Sequence, residues 1–220
     1  MTDDAPTVAV IDDDVSVRES IQGLLETAAL RVELFGSPRE YLQAKRKDHP
    51  SCIILDVRLP GSSGLDFQRE LTSAGMRAPI IFITGYADVH MSVQAMKAGA
   101  VEFLTKPYRH QALLDAVLSA IEKDRQRRAD DRGAADLQKR FEALTPRERQ
   151  VMALTVAGQQ NKQIAGEAGI REVTVRVHRR ELMRKMNAKS LADLVKMGEA
   201  LRNRGLVLDV DPPFSEGESS

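Results

Sequence analysis

Thr7-Val8-Ala9-Val10-Ile11-Asp12-Asp13-Asp14 is an apolar run that stops on three carboxylates. Five uncharged residues rich in β-branched side chains read as a buried strand, with the acids at its carboxyl end. The pattern recurs downstream. Cys52 to Leu55 ends on Asp56, Ile80 to Ile83 ends on Thr84, and Val101 to Leu104 leads to Lys106-Pro107. With a further run at 31 to 35, strands are expected at 7 to 11, 31 to 35, 52 to 55, 79 to 83 and 101 to 104, each followed by a helical pattern. Five βα units predict an α/β fold with a five-stranded parallel, doubly wound sheet, whose strand ends converge on one crevice. The four polar landmarks are therefore expected to meet there.

Helix signals support this reading. Val17, Ile21, Leu24, Leu25 and Ala28 recur at helical spacing, and Asp14 suits the cap of that helix. Ser37-Pro38-Arg39-Glu40 is a capping box with proline at the first helical position, Asp88 can cap a fourth helix, and Gly99 marks its end. The last helix of this half keeps its apolar periodicity from His110 to Ile121. The predicted organisation is a first domain at 1 to 121, a charged, partly helical linker at 122 to 140, a small all-α helix-turn-helix domain at 141 to 206, and an acidic tail at 207 to 220. The linker reads as either a solvated extension of the last helix or a flexible tether, with Gly133 a candidate break.

Charge separates the halves. The chain has 220 residues and zero formal net charge, but residues 1 to 120 carry 12 basic and 16 acidic side chains, and residues 142 to 206 carry 13 and 7. Only the second half is suited to a polyanion. No apolar stretch approaches the ~20 residues that span a bilayer, and the N-terminus lacks a signal-peptide pattern, so a cytoplasmic protein without a membrane partner is expected. Cys52, the single cysteine, opens an apolar run and reads as core.

The acidic landmarks suit one chemistry. Asp12, Asp13 and Asp56 offer oxygen ligands to Mg²⁺, which one or two carboxylates and a phosphoryl group can hold. Three adjacent carboxylates repel one another unless a cation offsets the charge. With Asp56 as nucleophile, Lys106 can neutralise a transferring phosphoryl group and Thr84 can hydrogen-bond it.

Val10-Ile11-Asp12-Asp13-Asp14, Leu55-Asp56-Val57-Arg58-Leu59-Pro60-Gly61, Ile83-Thr84-Gly85 and Phe103-Leu104-Thr105-Lys106-Pro107 resemble the receiver domain of two-component response regulators over about residues 5 to 121. The resemblance implies that Asp56 accepts phosphate from a histidine kinase. It implies that Asp13 and Asp56 bind Mg²⁺ directly, Asp12 through water, and Arg58 through its backbone carbonyl. Thr84 and Lys106 would contact the phosphoryl group, Phe103 would turn inward when Thr84 moves, and Lys106-Pro107 is a candidate cis bond. Arg58 and Tyr86 stand where receivers flank the path of hydrolytic water, and either slow dephosphorylation or are plain loop side chains.

The basic half reads as four helices. Thr145-Pro146-Arg147-Glu148 is a capping box, Gly158 a stop, Asn161 a candidate cap, Gly169 a turn, and a longer helix spans about Glu172 to Met186. On it Arg176, Arg180 and Arg184 form a row opposite Val175, Leu182 and Met186, which reads as either a DNA-facing or a solvated surface. Leu144 to Arg149, Asn161 to Ala165 and Thr174 to Arg179 resemble the LuxR-type DNA-binding domain, and the combination resembles the NarL/FixJ family. By that resemblance Arg176, Val177 and Arg180 face bases, and Lys162, Thr174 and Arg179 lie nearer phosphates. Arg171 departs from the family, which usually places serine or threonine at this cap.

The resemblance implies a phosphorylation-switched regulator that dimerises, through surfaces including Val89, Val93, Met96 and Lys97, to bind double-stranded DNA, while the apolar residues among these read equally as intramolecular core. Two alternatives stand beside it. One is a constitutive DNA binder with a docking-only receiver. The other is a Mg²⁺-dependent phosphatase with Asp12 as nucleophile and Asp14 as acid.

Overall fold

The computed structural model describes residues 5–45, 49–86 and 88–206. The expected tail at 207 to 220 lies outside them. The strands are β1 (Thr7–Ile11), β2 (Arg31–Phe35), β3 (Cys52–Asp56), β4 (Arg58–Leu59), β5 (Ser62–Ser63), β6 (Ile80–Thr84) and β7 (Glu102–Thr105). The helices are α1 (Val15–Glu26), α2 (Pro38–Gln43), α3 (Gly64–Ser73), α4 (Val89–Lys97), α5 (His110–Glu142), α6 (Pro146–Val156), α7 (Asn161–Ala168), α8 (Glu172–Met186) and α9 (Leu191–Arg202). No helix among the described residues is long and apolar enough to cross a membrane.

Five strands form one parallel sheet in the order β2-β1-β3-β6-β7. Alternation along the strands divides its core in two. Ala9, Ile11, Ile53, Leu55 and Phe82 pack with Tyr41, Phe67 and Leu71 of α2 and α3. Val8, Val10, Ile54, Ile81 and Ile83 pack with Ile21 and Leu25 of α1 and Leu113 and Val117 of α5. Burial on both faces explains why the strands read as continuous apolar runs. Cys52 is fully buried, and burial pushes its thiol well above the ordinary value.

Chain breaks and caps follow the side chains. Asp14 Oδ1 accepts from Ser16 N–H at 2.8 Å and Val17 N–H at 3.3 Å. Ser37 caps α2, while Glu40 Oε2 reaches back one residue further than a capping box, to Gly36 N–H at 2.6 Å. Asp88 caps α4, and Gly99 follows it with φ +93°. Directly after Asp56, β4 and β5 make a two-residue antiparallel ribbon that leads into α3. Two residues carry no periodicity, so the ribbon had no signature in sequence. At its exit Gly64 donates to Val57 O at 2.9 Å, and a Cβ there would lie 2.3 Å from the Asp56 carbonyl oxygen.

The chain divides into two compact units between Arg128 and Ala129. Of the two forms open to the linker the structure has the helical extension, with no break at Gly133: α5 is continuous from His110 to Glu142. A helical glycine costs about 1 kcal/mol against alanine, and pairs at i,i+3 and i,i+4 flank this one. They join Arg125 to Glu122, Arg128 to Asp124, Arg140 to Asp136, and Gln138 to Glu142. The charged stretch is also not uniformly solvated. Asp124 is buried, accepts from Arg127 and Arg128, and Arg128 donates onward to the His49 carbonyl at 2.8 Å.

In the second unit α6 to α9 enclose Val151, Ile164, Val175, Leu182 and Leu194. Thr145 and Glu148 form the expected capping box. Asn161 is not the cap of α7. Gln160 holds that position, its N–H donating to Gln163 Oε1 at 2.8 Å, and Asn161 is the first helical residue. Gly169 has φ +64° and closes the turn into α8. Arg171 caps α8 with no side-chain hydrogen bond.

Gly64→Ala is expected to lower stability by about 1–3 kcal/mol, as overpacking against backbone does, read as a lower urea midpoint for the first unit. Arg171→Ser supplies the missing cap, a gain of about 1 kcal/mol. Amide exchange at Thr174 and Val175 should then slow by about five-fold.

Candidate functional site

The parallel sheet brings the four polar landmarks to one edge. Ile11 is level with Leu55, Asp56 with Ile83, and Thr84 with Thr105, so Asp12, Asp56, Thr84 and Lys106 close the same end of four neighbouring strands. Lys106 Nζ donates to Asp12 Oδ2 at 2.6 Å and to Asp56 Oδ2 at 2.8 Å. The other oxygens bind backbone: Asp14 N–H donates to Asp12 Oδ1 at 2.9 Å, and Arg58 N–H to Asp56 Oδ1 at 2.8 Å. Arg18 donates to the Asp12 carbonyl at 2.6 Å. Lys106-Pro107 is cis.

Burial and the lysine bridge oppose each other in the electrostatics. Asp12 is 0% exposed and Asp56 6%. Burial raises the Asp12 pKa, against the Lys106 hydrogen bond that lowers it. Burial alone would lower the Lys106 ammonium, but its hydrogen bonds to Asp12 and Asp56 and their charges outweigh that, and its pKa stands above the ordinary value. Asp13 is exposed at the mouth. One carboxylate oxygen from each of Asp12, Asp13 and Asp56 lies within 4.8 Å of the others, an all-oxygen set that suits a hard divalent cation such as Mg²⁺.

Thr84 and Phe103 occupy the neighbouring strand ends. Thr84 is fully buried, and its Oγ1 accepts from Tyr86 N–H at 3.2 Å. Phe103 is half-buried, its ring centroid 6.3 Å from that of Phe82. The Arg58 guanidinium lies over the Tyr86 ring, 4.5 Å from its centroid. Sequence placed both residues in the pocket loops but carried no sign that they touch, since long loop side chains select their rotamers in three dimensions. The phosphatase alternative lacks its acid: Asp14, which it requires in that role, is engaged as the cap of α1, accepting from Ser16 and Val17 N–H.

The basic face of α8 takes shape in the same way. Arg176, Val177, Arg180 and Arg184 are exposed, and Val175, Leu182 and Met186 on the other side are buried. Arg176 is held by Glu172 and Arg184 by Glu181, each at 2.9 Å, while Arg180 only approaches Glu181 at 3.9 Å. Lys162 is exposed at the start of α7, and Thr174 is half-buried. Arg179 turns away from the row and donates to Asn161 Oδ1 at 2.6 Å, tying α8 to α7.

Residues 8–118 match the response regulator receiver domain, and residues 142–198 match the bacterial regulatory proteins of the luxR family. Nodulation protein W of Bradyrhizobium diazoefficiens is 53% identical over 194 residues, 88% of this chain and 86% of that protein. The response regulator protein TodT of Pseudomonas putida is 42% identical over 92% of this chain and 89% of its own length. Among solved structures, the response regulator StyR superposes with a TM-score of 0.80 at 48% identity, covering 89% of this chain and 98% of that one. Full-length FixJ from B. japonicum gives 0.55 at 37% identity, covering 90% and 98%. The pocket, the helix-turn-helix and these likenesses lead to one conclusion: the chain belongs to the response regulators that join a receiver domain to a LuxR-type DNA-binding domain, and it is a transcriptional regulator rather than an enzyme.

Proposed function

We propose that Asp56 is the phosphoryl acceptor of this regulator, and that its phosphorylation by a partner histidine kinase pairs two chains on DNA. The observation that carries the reading is the Lys106 ammonium bridging Asp12 and Asp56 in the crevice at the strand ends. An Asp56 oxygen attacks the phosphorus of a phosphohistidine, the P–N bond breaks, and the imidazole leaves. Lys106 follows the charge from the carboxylate onto the transferred oxygens. Asp12, Asp13, Asp56 and the Arg58 carbonyl would hold Mg²⁺, which when bound neutralises those oxygens further. Thr84 exchanges its Tyr86 contact for a phosphoryl oxygen, and Phe103 follows it inward.

The surface that responds is α4 and β7. Val89, Val93 and Met96 are 79%, 45% and 45% exposed there, and a second copy would cover them, with Lys97 at the margin. Paired receivers place two α8 helices on half-sites about 10 base pairs apart or a multiple of that. Arg176, Val177 and Arg180 face the bases, Lys162, Thr174 and Arg184 the backbone, and Arg179 keeps α7 and α8 in register while near the phosphates. The protein acts in the cytoplasm, where kinase and DNA are both present.

Light scattering with Mg²⁺ and beryllofluoride, which mimics the phosphoryl group on an aspartate, should double the mass of the wild type and leave Asp56→Asn unchanged. No change in either would leave a constitutive DNA binder. In receivers the positions of Arg58 and Tyr86 flank the path of hydrolytic water, and their stack in this chain slows its entry. Replacing both by alanine should shorten the phospho-Asp56 lifetime by about two- to five-fold, the effect of losing a cation–π contact of about 0.5–1 kcal/mol. An unchanged lifetime, followed by loss of the radiolabelled phosphoryl group, would show that the stack has no part in timing.

A further inference from the structure

Val173 and Val177 are 58% and 49% exposed on a helix whose remaining outward residues are mostly charged. A single exposed valine is ordinary. These two are four residues apart, so their side chains lie one above the other. At 100° per residue, Val173, Arg176, Val177, Arg180 and Arg184 fall within an arc of about 100°. Val175, Leu182 and Met186, all fully buried, occupy the opposite side. Neither exposed valine belongs to the apolar core of its unit among the described residues. Valine also has a poor helix propensity, so the pair adds nothing to the stability of α8.

The flanking charges indicate the occupant. Arg180 is 80% exposed in its side chain and only loosely paired, at 3.9 Å from Glu181. Arg176 pairs with Glu172 one turn earlier. An apolar pair within an arginine stripe fits the major groove, where thymine alone presents a methyl group and guanine presents two acceptors to a guanidinium. Residues near the start of a recognition helix reach base edges, and Val173 is the second residue of α8.

The geometry points to Val173 as a base-reading residue that, with Val177, takes thymine 5-methyl groups beside a guanine read by Arg180. This rests on α8 being the helix that enters DNA. A half-site for this protein therefore carries at least one thymine recognised by its methyl group, at the end of the site that faces the start of α8.

The test uses the full chain activated with Mg²⁺ and beryllofluoride and a pool of randomised DNA duplexes. The recovered site is remade with deoxyuridine replacing each thymine in turn, which removes only the methyl group. The wild type should lose about four-fold in affinity at one thymine, the factor expected for one buried methyl group. Val173→Ser should bind the thymine and uracil duplexes equally at that position while keeping the penalty at any thymine read by Val177. Val173→Ala, which favours the helix and keeps one methyl group, should show a uracil penalty at that position smaller than that of the wild type. Identical uracil penalties in wild type and both variants, or none at any position, overturn the assignment. A wild type that enriches no sequence from the pool overturns the DNA-reading role of α8 and this inference with it.

Discussion

One ammonium group holds the receiver pocket together. Asp12 and Asp56 end adjacent strands and are buried, an arrangement that costs free energy through desolvation and mutual repulsion. Lys106 offsets both by donating to each carboxylate, and it comes from the end of β7, at the far side of β6. The bridge forms only if all four strands run parallel in the observed register. A slip of one residue would turn Asp12 or Asp56 to the opposite face of the sheet. The acidic pocket and the apolar core therefore specify the same register, one through charge and the other through burial.

The DNA-binding unit uses a smaller version of the same device. Glu148 is buried near the start of α6, where its Oε2 accepts from Thr145 N–H and from Lys185 of α8, both at 2.7 Å. Burial raises its pKa, but these bonds outweigh burial and hold it below the usual carboxylate value. One carboxylate thus caps a helix and fastens α8 to it. With Arg179 bonded to Asn161, α8 is tied to both helices that precede it. Its outward stripe is free of structural duties, apart from the local pairs of Arg176 and Arg184 with glutamates on the same helix.

The strands and pocket were legible because their signal is local. An apolar run ending on a polar side chain marks both a buried strand and what stands at its tip, and parallel topology does the rest. Caps at Asp14, Asp88 and Thr145 were legible for the same reason. What was missed depends on partners distant in sequence or on very short elements. The ribbon of β4 and β5 is too short to carry a period. Gln160 displaced Asn161 as the α7 cap, while Asn161 accepts from Arg179, 18 residues on. Asp124 sits in a stretch with no apolar periodicity, and its burial depends on a loop carbonyl 79 residues away from Arg128. The continuity of α5 through Gly133 was left open by the sequence, because it follows from summed weak pairs that outweigh one unfavourable residue.

The Asp124–Arg128 pair also bears on where this chain can be cut and rejoined. By composition, a splice at Ile121 looks natural, since the apolar rhythm ends there and charge begins. A chimaera joined at that point, with a foreign output module on this receiver, would discard the buried carboxylate and the guanidinium that holds the segment leading into β3. The strand whose far end carries Asp56 would then enter the sheet on its backbone bonds alone, Ser51 N–H to Thr7 O and Ile53 N–H to Pro79 O. A junction beyond Arg128 keeps the anchor and coincides with the division between the two compact units. The interchangeable part of this architecture starts about two helical turns later than its composition suggests.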